Sequence, residues 1–139
     1  MEEERSLSTE PNTPRAPPLV AAAMAGDYDE IYHILSVRPG AVNEGDEDDS
    51  TALMCSAVGG YLDIVRLLLD RAADPDRRDL IGGYTALILA TKFNYIDIVK
   101  TLVQRGADVA IKDFEGNIAR SYAKTDEIKK ILGRVSARY

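Results

Sequence analysis

Apolar positions along this chain are spaced for short amphipathic helices. Ile64, Val65, Leu68 and Leu69 stand at i, i+1, i+4 and i+5, which is one face of a helix. The stretch before them is rich in small residues (Ala52, Ser56, Ala57), so a helix there can lie close against a neighbour. Gly60 separates the two, where a tight turn between helices wants a residue that tolerates positive φ. The arrangement then returns. Ala86, Ala90 and Thr91 form a small-residue stretch, Ile98, Val99 and Leu102 an apolar face, and Asn94 the turn between them. Asn is the next most tolerant residue for that conformation. The pattern predicts two helix pairs.

The two pairs are copies of one unit. A shift of 34 positions puts Thr51-Ala52-Leu53 on Thr85-Ala86-Leu87, Tyr61 on Tyr95, and Asp63-Ile64-Val65 on Asp97-Ile98-Val99. It also puts Leu68 on Leu102, Arg71 on Arg105, and Ala73-Asp74 on Ala107-Asp108. A period in this range marks stacked supersecondary units, none of which buries its apolar face alone. One helical repeat of this length carries a Trp/Leu/Gly/Tyr pattern and a late Pro, and this chain has no Trp. The residues present instead resemble the ankyrin repeat, with its Thr-Pro-Leu-His start, Ala-Ala pair, central Gly and closing Gly-Ala-Asp. Ala52 and Ala86 stand where that family has Pro, and Met54 and Ile88 where it has His. The resemblance implies an all-α fold, an ankyrin-repeat solenoid of stacked helix-turn-helix units joined by short hairpin loops. Such arrays bind partners and seldom do chemistry.

Weaker copies flank the two clear ones. Leu19, Ala22-Ala23, Gly26, Ile31, Ile34-Leu35 and Val42-Asn43 keep the pattern before them; Asp113 to Gly116, Ala119, Ala123, Ile128 and Ile131-Leu132 keep it after. Terminal repeats differ because one side faces water. The expected organisation is a tail at 1–17, a repeat domain at 18–133 and a short end at 134–139. Within the domain, 18–48 is an N-terminal cap repeat, 49–78 and 79–112 are regular repeats, and 113–133 is a C-terminal cap. Residues 1–17 hold Pro11, Pro14 and Pro17 with almost no apolar side chains, a composition expected to be disordered, and Thr13-Pro14 is a candidate phosphorylation site. The sequence fits either a small complete protein or an ankyrin segment of a longer one.

Charge and chemistry narrow the function classes. Residues 1–74 carry 15 Asp/Glu against 5 Lys/Arg, and residues 75–139 carry 8 against 12, so an acidic half meets a mildly basic one. A net charge of −6, with no basic stripe interleaved with aromatics, disfavours nucleic acid. Lys124, Lys129, Lys130 and Arg134 are expected to complement a helix C-terminus. No apolar run is long enough to span a bilayer, and no membrane partner is expected. The single Cys55 excludes an internal disulfide, fits the reducing cytoplasm or nucleus, and is expected to be a buried, inert thiol. With one His (His33) and one Cys, a nucleophile–base pair or metal cluster has almost no candidates, so no enzyme, cofactor or metal site is expected. The acidic run Glu44 to Asp49 lacks the ligand spacing, central Gly and late Glu of a calcium loop. It reads as a solvated turn or an anionic finger for a basic partner.

The resemblance also implies where binding would occur, in a groove made by hairpin tips and the exposed ends of the first helices. Carried over by position, those residues are Glu47, Asp48, Ser50 and Val58 in the first regular repeat, and Leu80, Ile81, Tyr84, Lys92 and Phe93 in the second. Phe114, Glu115 and Asn117 follow in the cap, and Met24 precedes them. Leu80, Ile81, Tyr84, Phe93 and Phe114 would face solvent along one edge, as binding hot spots do. The hairpin at Leu80 is one residue longer than the next, and Gly82-Gly83 would let it adjust to a ligand. The expectation is a monomeric, non-catalytic module for a protein or peptide, with a basic patch on the partner as the natural complement of Glu47 and Asp48. The alternative is a scaffold segment or a small adaptor that masks a partner surface.

Overall fold

The computed structural model describes residues 16–136, with side chains described as far as Gly133. The Thr13-Pro14 pair, nearly all of the expected tail and the Arg134 side chain lie outside the described residues. Among the described residues seven α-helices run in order: α1 Pro18–Ala25, α2 Tyr28–Val37, α3 Ala52–Gly59, α4 Leu62–Asp70, α5 Ala86–Lys92, α6 Ile96–Gln104 and α7 Asp126–Ser136. Two 3-10 turns, Pro39–Asn43 and Ala119–Tyr122, complete the set, and no strand occurs among the described residues. The fold is the all-α solenoid that the pattern predicts.

Local signals place the helix ends. Thr51 and Thr85 cap α3 and α5, each hydroxyl accepting from the backbone N–H three residues on (Met54 at 3.3 Å, Ile88 at 3.1 Å). Gly26, Gly60 and Asn94 take left-handed φ of 69°, 77° and 63° at the turns between paired helices. The glycines serve a second purpose. A Cβ on Gly26 would lie 2.7 Å from the Tyr61 ring, and one on Gly60 2.8 Å from the Tyr95 ring. Each Tyr that opens an outer helix therefore leans on the turn of the preceding unit.

The helices form two layers. α1, α3, α5 and the second 3-10 turn stack in sequence as an inner layer, and α2, α4, α6 and α7 form an outer one. Inner helices approach more closely than outer ones, because Ala52, Ala57, Ala86 and Ala90 leave little side chain between them. A stack narrower on one side bends toward it, so the inner helices and hairpins line the concave face. Leu53, Leu68, Leu87, Ile98, Leu102 and Ile128 fill the space between layers and are fully buried. Buried hydroxyls are satisfied within their own helices, Ser56 donating to the Ala52 carbonyl and Thr91 to that of Leu87, both at 2.8 Å.

Neighbouring units are also joined through polar groups. The Asn43 side chain accepts from the Asp74 N–H at 2.8 Å, and the Asp76 carboxylate accepts from the Asp108 N–H at 2.8 Å. These are one cross-link used twice. One expectation is corrected here: α7 begins at Asp126, so Lys124 precedes it and Lys129 and Lys130 lie in its first half. They cannot complement a C-terminal dipole. Asp126 and Glu127 occupy the first turn, where the dipole favours acids.

Candidate protein-binding groove

Three hairpins project beside the inner helices, and one residue type organises all three. Asp46 Oδ1 accepts from the N–H groups of Asp48 (2.9 Å) and Ser50 (3.0 Å). Asp79 Oδ1 accepts from Gly82 (3.1 Å) and Tyr84 (3.0 Å), and Asp113 Oδ1 from Glu115 (2.9 Å) and Asn117 (2.9 Å). Each carboxylate thus ties down the N–H groups of its own turn. Each hairpin also has one left-handed residue before its last: Asp49 (φ 56°), Gly83 (72°) and Gly116 (84°). Backbone bonds couple the row, Leu80 N–H to the Asp48 carbonyl and Phe114 N–H to the Gly82 carbonyl, both 2.8 Å.

On this frame Glu47 and Asp48 are exposed at the tip of the first hairpin. Asp46, from the same acidic run, is instead a structural ligand of its turn. Leu80 and Ile81 form the second tip, 60 % and 66 % exposed, and Phe114 stands in the third at 58 %. Phe114 nonetheless packs across hairpins. A Cβ on Gly83 would come within 2.6 Å of its ring, and the Arg78 guanidinium lies 5.2 Å from the ring centroid on cation–π terms. Gly82 gives similar room to Tyr84, whose ring would meet a Cβ there at 2.4 Å. Gly82 and Gly83 are therefore seats for two rings, rather than the source of adaptability that the sequence alone proposes.

Tyr84 departs from the expected solvent-facing edge. It is half-buried, with the Lys92 ammonium 4.4 Å from its ring centroid and 3.3 Å from its hydroxyl oxygen, to which the ammonium donates. The same ammonium lies 4.8 Å from the Tyr122 ring, so Lys92 is held between two aromatic faces. The Tyr122 hydroxyl donates to Asp113 Oδ2 and accepts from Asn117 Nδ2 at 3.3 Å. That bond from Tyr122, with the N–H groups of Asn117 and Glu115 and the Lys92 charge, holds Asp113 below the usual carboxylate range against the opposing effect of burial. The bond to Asp113 likewise raises the Tyr122 phenol. Asp79 and Tyr122 were not among the residues singled out from sequence.

Phe93 is 50 % exposed but lies at the other end of α5 from the hairpin, stacked on Tyr95 at 6.5 Å and 19°. A seven-residue helix is about 10 Å long, so Phe93 does not share one edge with Leu80 and Ile81. Lys92 occupies the ground between. Met24 and Val58 hold the same place on α1 and α3 as Lys92 does on α5, and both are exposed. Cys55, expected to be buried, is half-buried and packs against the core; burial, with Asp46 adding to it, pushes its thiol up to about 11, which keeps it protonated and unreactive at neutral pH. Among the described residues no group of three or more His, Cys, Asp or Glu could hold a metal ion, and no helix is long and apolar enough to cross a membrane.

Comparison with known proteins agrees with this architecture. The model of the family described as ankyrin repeats, in three copies, matches residues 14–113. The chain is 38 % identical over 72 residues to the mouse (Mus musculus) "Ankyrin repeat and SAM domain-containing protein 6", covering 52 % of this chain and 8 % of that protein. The rat (Rattus norvegicus) protein of the same name is 36 % identical over 72 residues, with the same coverage. "Glycerophosphocholine phosphodiesterase gde1" of Schizosaccharomyces pombe is 34 % identical over 84 residues, 60 % of this chain and 7 % of that protein. The chain spans less than a tenth of the length of these relatives.

Proposed function

This chain belongs to the ankyrin repeat family, and from that premise we propose that it is a non-catalytic module that binds a protein or peptide through its hairpins and inner helices. One observation carries the reading. Large apolar side chains (Leu80, Ile81, Phe114) stand exposed on a row of hairpins that is hydrogen-bonded from tip to tip and held by buried carboxylates at Asp79 and Asp113. Exposed apolar groups on a rigid base lose little conformational freedom on binding, which favours affinity. The phosphodiesterase likeness covers 7 % of that enzyme. The scaffold-segment reading is favoured by a different fact: the matched stretch is a small part of a much longer protein in each of these relatives.

Capture from a cell lysate by the intact chain and by a Leu80/Tyr84/Phe93 triple-Ala variant tests the site. A protein held by the first and lost by the second, with both domains folded by circular dichroism, supports the groove. For a partner so identified, Tyr84→Ala is expected to weaken binding by about 2 kcal/mol, some thirtyfold. Arg66→Ala on the outer layer is expected to do little. Loss on Arg66→Ala with full retention by the triple variant would move the site to the convex face.

A further inference from the structure

Lys92 is a groove cation that makes no direct ion pair, although its charge acts through space on Asp113. The ion pairs among described residues are Arg38–Glu44, Lys100–Glu127 and Arg105–Asp70, and Lys92 takes part in none of them. The nearby carboxylate of Asp113 accepts from Tyr122 and from the N–H groups of Glu115 and Asn117, and makes no direct bond to the Lys92 ammonium. Lys92 spends one N–H on the Tyr84 hydroxyl and keeps two, and the Tyr84 hydroxyl has its own proton left to donate. Two ring faces fix the ammonium in place, so the rotamer entropy that a lysine ordinarily loses on binding is already spent. A pre-positioned cation beside a free hydroxyl donor is a receptor for a carboxylate.

We propose that Lys92 and Tyr84 recognise an acidic side chain of an extended peptide lying along the hairpin row; this rests on the groove reading above and adds the ligand's charge pattern to it. Charge sets the direction of that peptide. Glu47 and Asp48, exposed on the first hairpin, repel its acidic residue and attract a basic one. The apolar tip of Leu80 and Ile81 lies between the two and takes a large apolar side chain. Neighbouring units stack at roughly 8–10 Å, and an extended chain advances about 3.3 Å per residue, so the basic and acidic residues stand about three positions apart.

The test is a phage-displayed library of random linear peptides selected on the full-length chain, followed by fluorescence anisotropy of the strongest synthetic peptide. The expected consensus has Lys or Arg, a large apolar residue, then Asp or Glu at that spacing. Changing the peptide's acid to its amide should weaken binding about tenfold or more on the intact protein. That difference should vanish on Lys92→Met, which keeps the side-chain stem between the rings, and invert on Lys92→Glu. An acid and amide bound equally by the intact chain, or a preference that persists in Lys92→Met, overturns the assignment of Lys92 while leaving the groove standing. A library from which nothing is enriched ends the groove reading and this proposal with it.

Discussion

The first and second hairpins are built on the same frame and finished differently. Asp46 and Asp79 each fold their carboxylate back on two N–H groups of the turn, and Asp49 and Gly83 each supply the left-handed corner. The tips diverge: Glu47 and Asp48 in the first, Leu80 and Ile81 with an additional residue in the second. Asp79 is buried where Asp46 is only half-buried, and Gly83 carries the Phe114 ring. Stability thus resides in the base of each hairpin and recognition in its tip. The second hairpin is the more deeply embedded of the two.

Beneath the tips the two units should be equal, and the largest effects test that. Leu68 and Leu102 are aligned, and both are fully buried between layers. Leu68→Ala and Leu102→Ala should each cost about 2–5 kcal/mol by removing buried methyl groups and leaving a cavity. Urea denaturation followed by circular dichroism reads the loss. Few units share the core, so either variant should lower the midpoint strongly. A midpoint that moves in one and not the other would show that the units are not energetic copies.

The frame itself should show the asymmetry. Asp79→Ala leaves two part-buried N–H groups of the turn without their acceptor and should cost about 1–3 kcal/mol, with Asp46→Ala costing less because its turn is more open to water. The corner residues should differ in sign. Gly83→Ala forces a Cβ into a left-handed backbone and against Phe114 and should cost about 1–3 kcal/mol. Asp49→Gly relieves a left-handed non-Gly residue and should be neutral or slightly stabilising. Equal losses for Asp46→Ala and Asp79→Ala in thermal melts would erase the distinction between the hairpins.

What could be read from the sequence follows from what repeats there at a fixed period. The helix pairs, the left-handed turns at Gly60 and Asn94 and the buried Leu faces all recur at 34 positions, because each is a local demand that every unit makes again. The hairpin carboxylates recur too, but Asp46 and Asp79 are 33 apart, since the extra residue of the second hairpin shifts the register. A fixed offset of 34 hides that pair, and Asp46 then reads as one more acid in a charged run. The Lys92 cage was beyond periodicity altogether. Tyr122 reaches it from the divergent C-terminal unit, where a 3-10 turn replaces the inner helix, so no repeat position announces its ring. Groove residues were nameable one by one, but only packing separates the half-buried Tyr84 from the open Leu80, and Phe93 from the hairpin edge.

The smallest effect on folding should come from the acidic tip, and its size discriminates frame from finger most cleanly. Glu47 and Asp48 are exposed, and neither side chain makes a hydrogen bond or ion pair within the described structure. Glu47→Gln with Asp48→Asn keeps the backbone carbonyl of residue 48 that accepts from Leu80, and keeps Asp46, so the row of hairpins stays intact. The melting free energy should change by less than about 0.5 kcal/mol, rising if anything because like charges are relieved. Binding of a basic-patch partner should respond differently. Its association should slow and its rate should depend less on salt, since exposed charges act through long-range attraction that added salt screens. Extending the change to Asp46→Ala, which removes the acceptor of the Asp48 and Ser50 N–H groups, should then bring in a stability loss that the double variant lacks. Calcium added to the native chain should leave the melting temperature where it was, because the two tip carboxylates lack the spacing of a calcium loop and Asp46 already accepts from its own backbone. A saturable rise in melting temperature with calcium would make the tip a cation site, and the finger reading would fall with it.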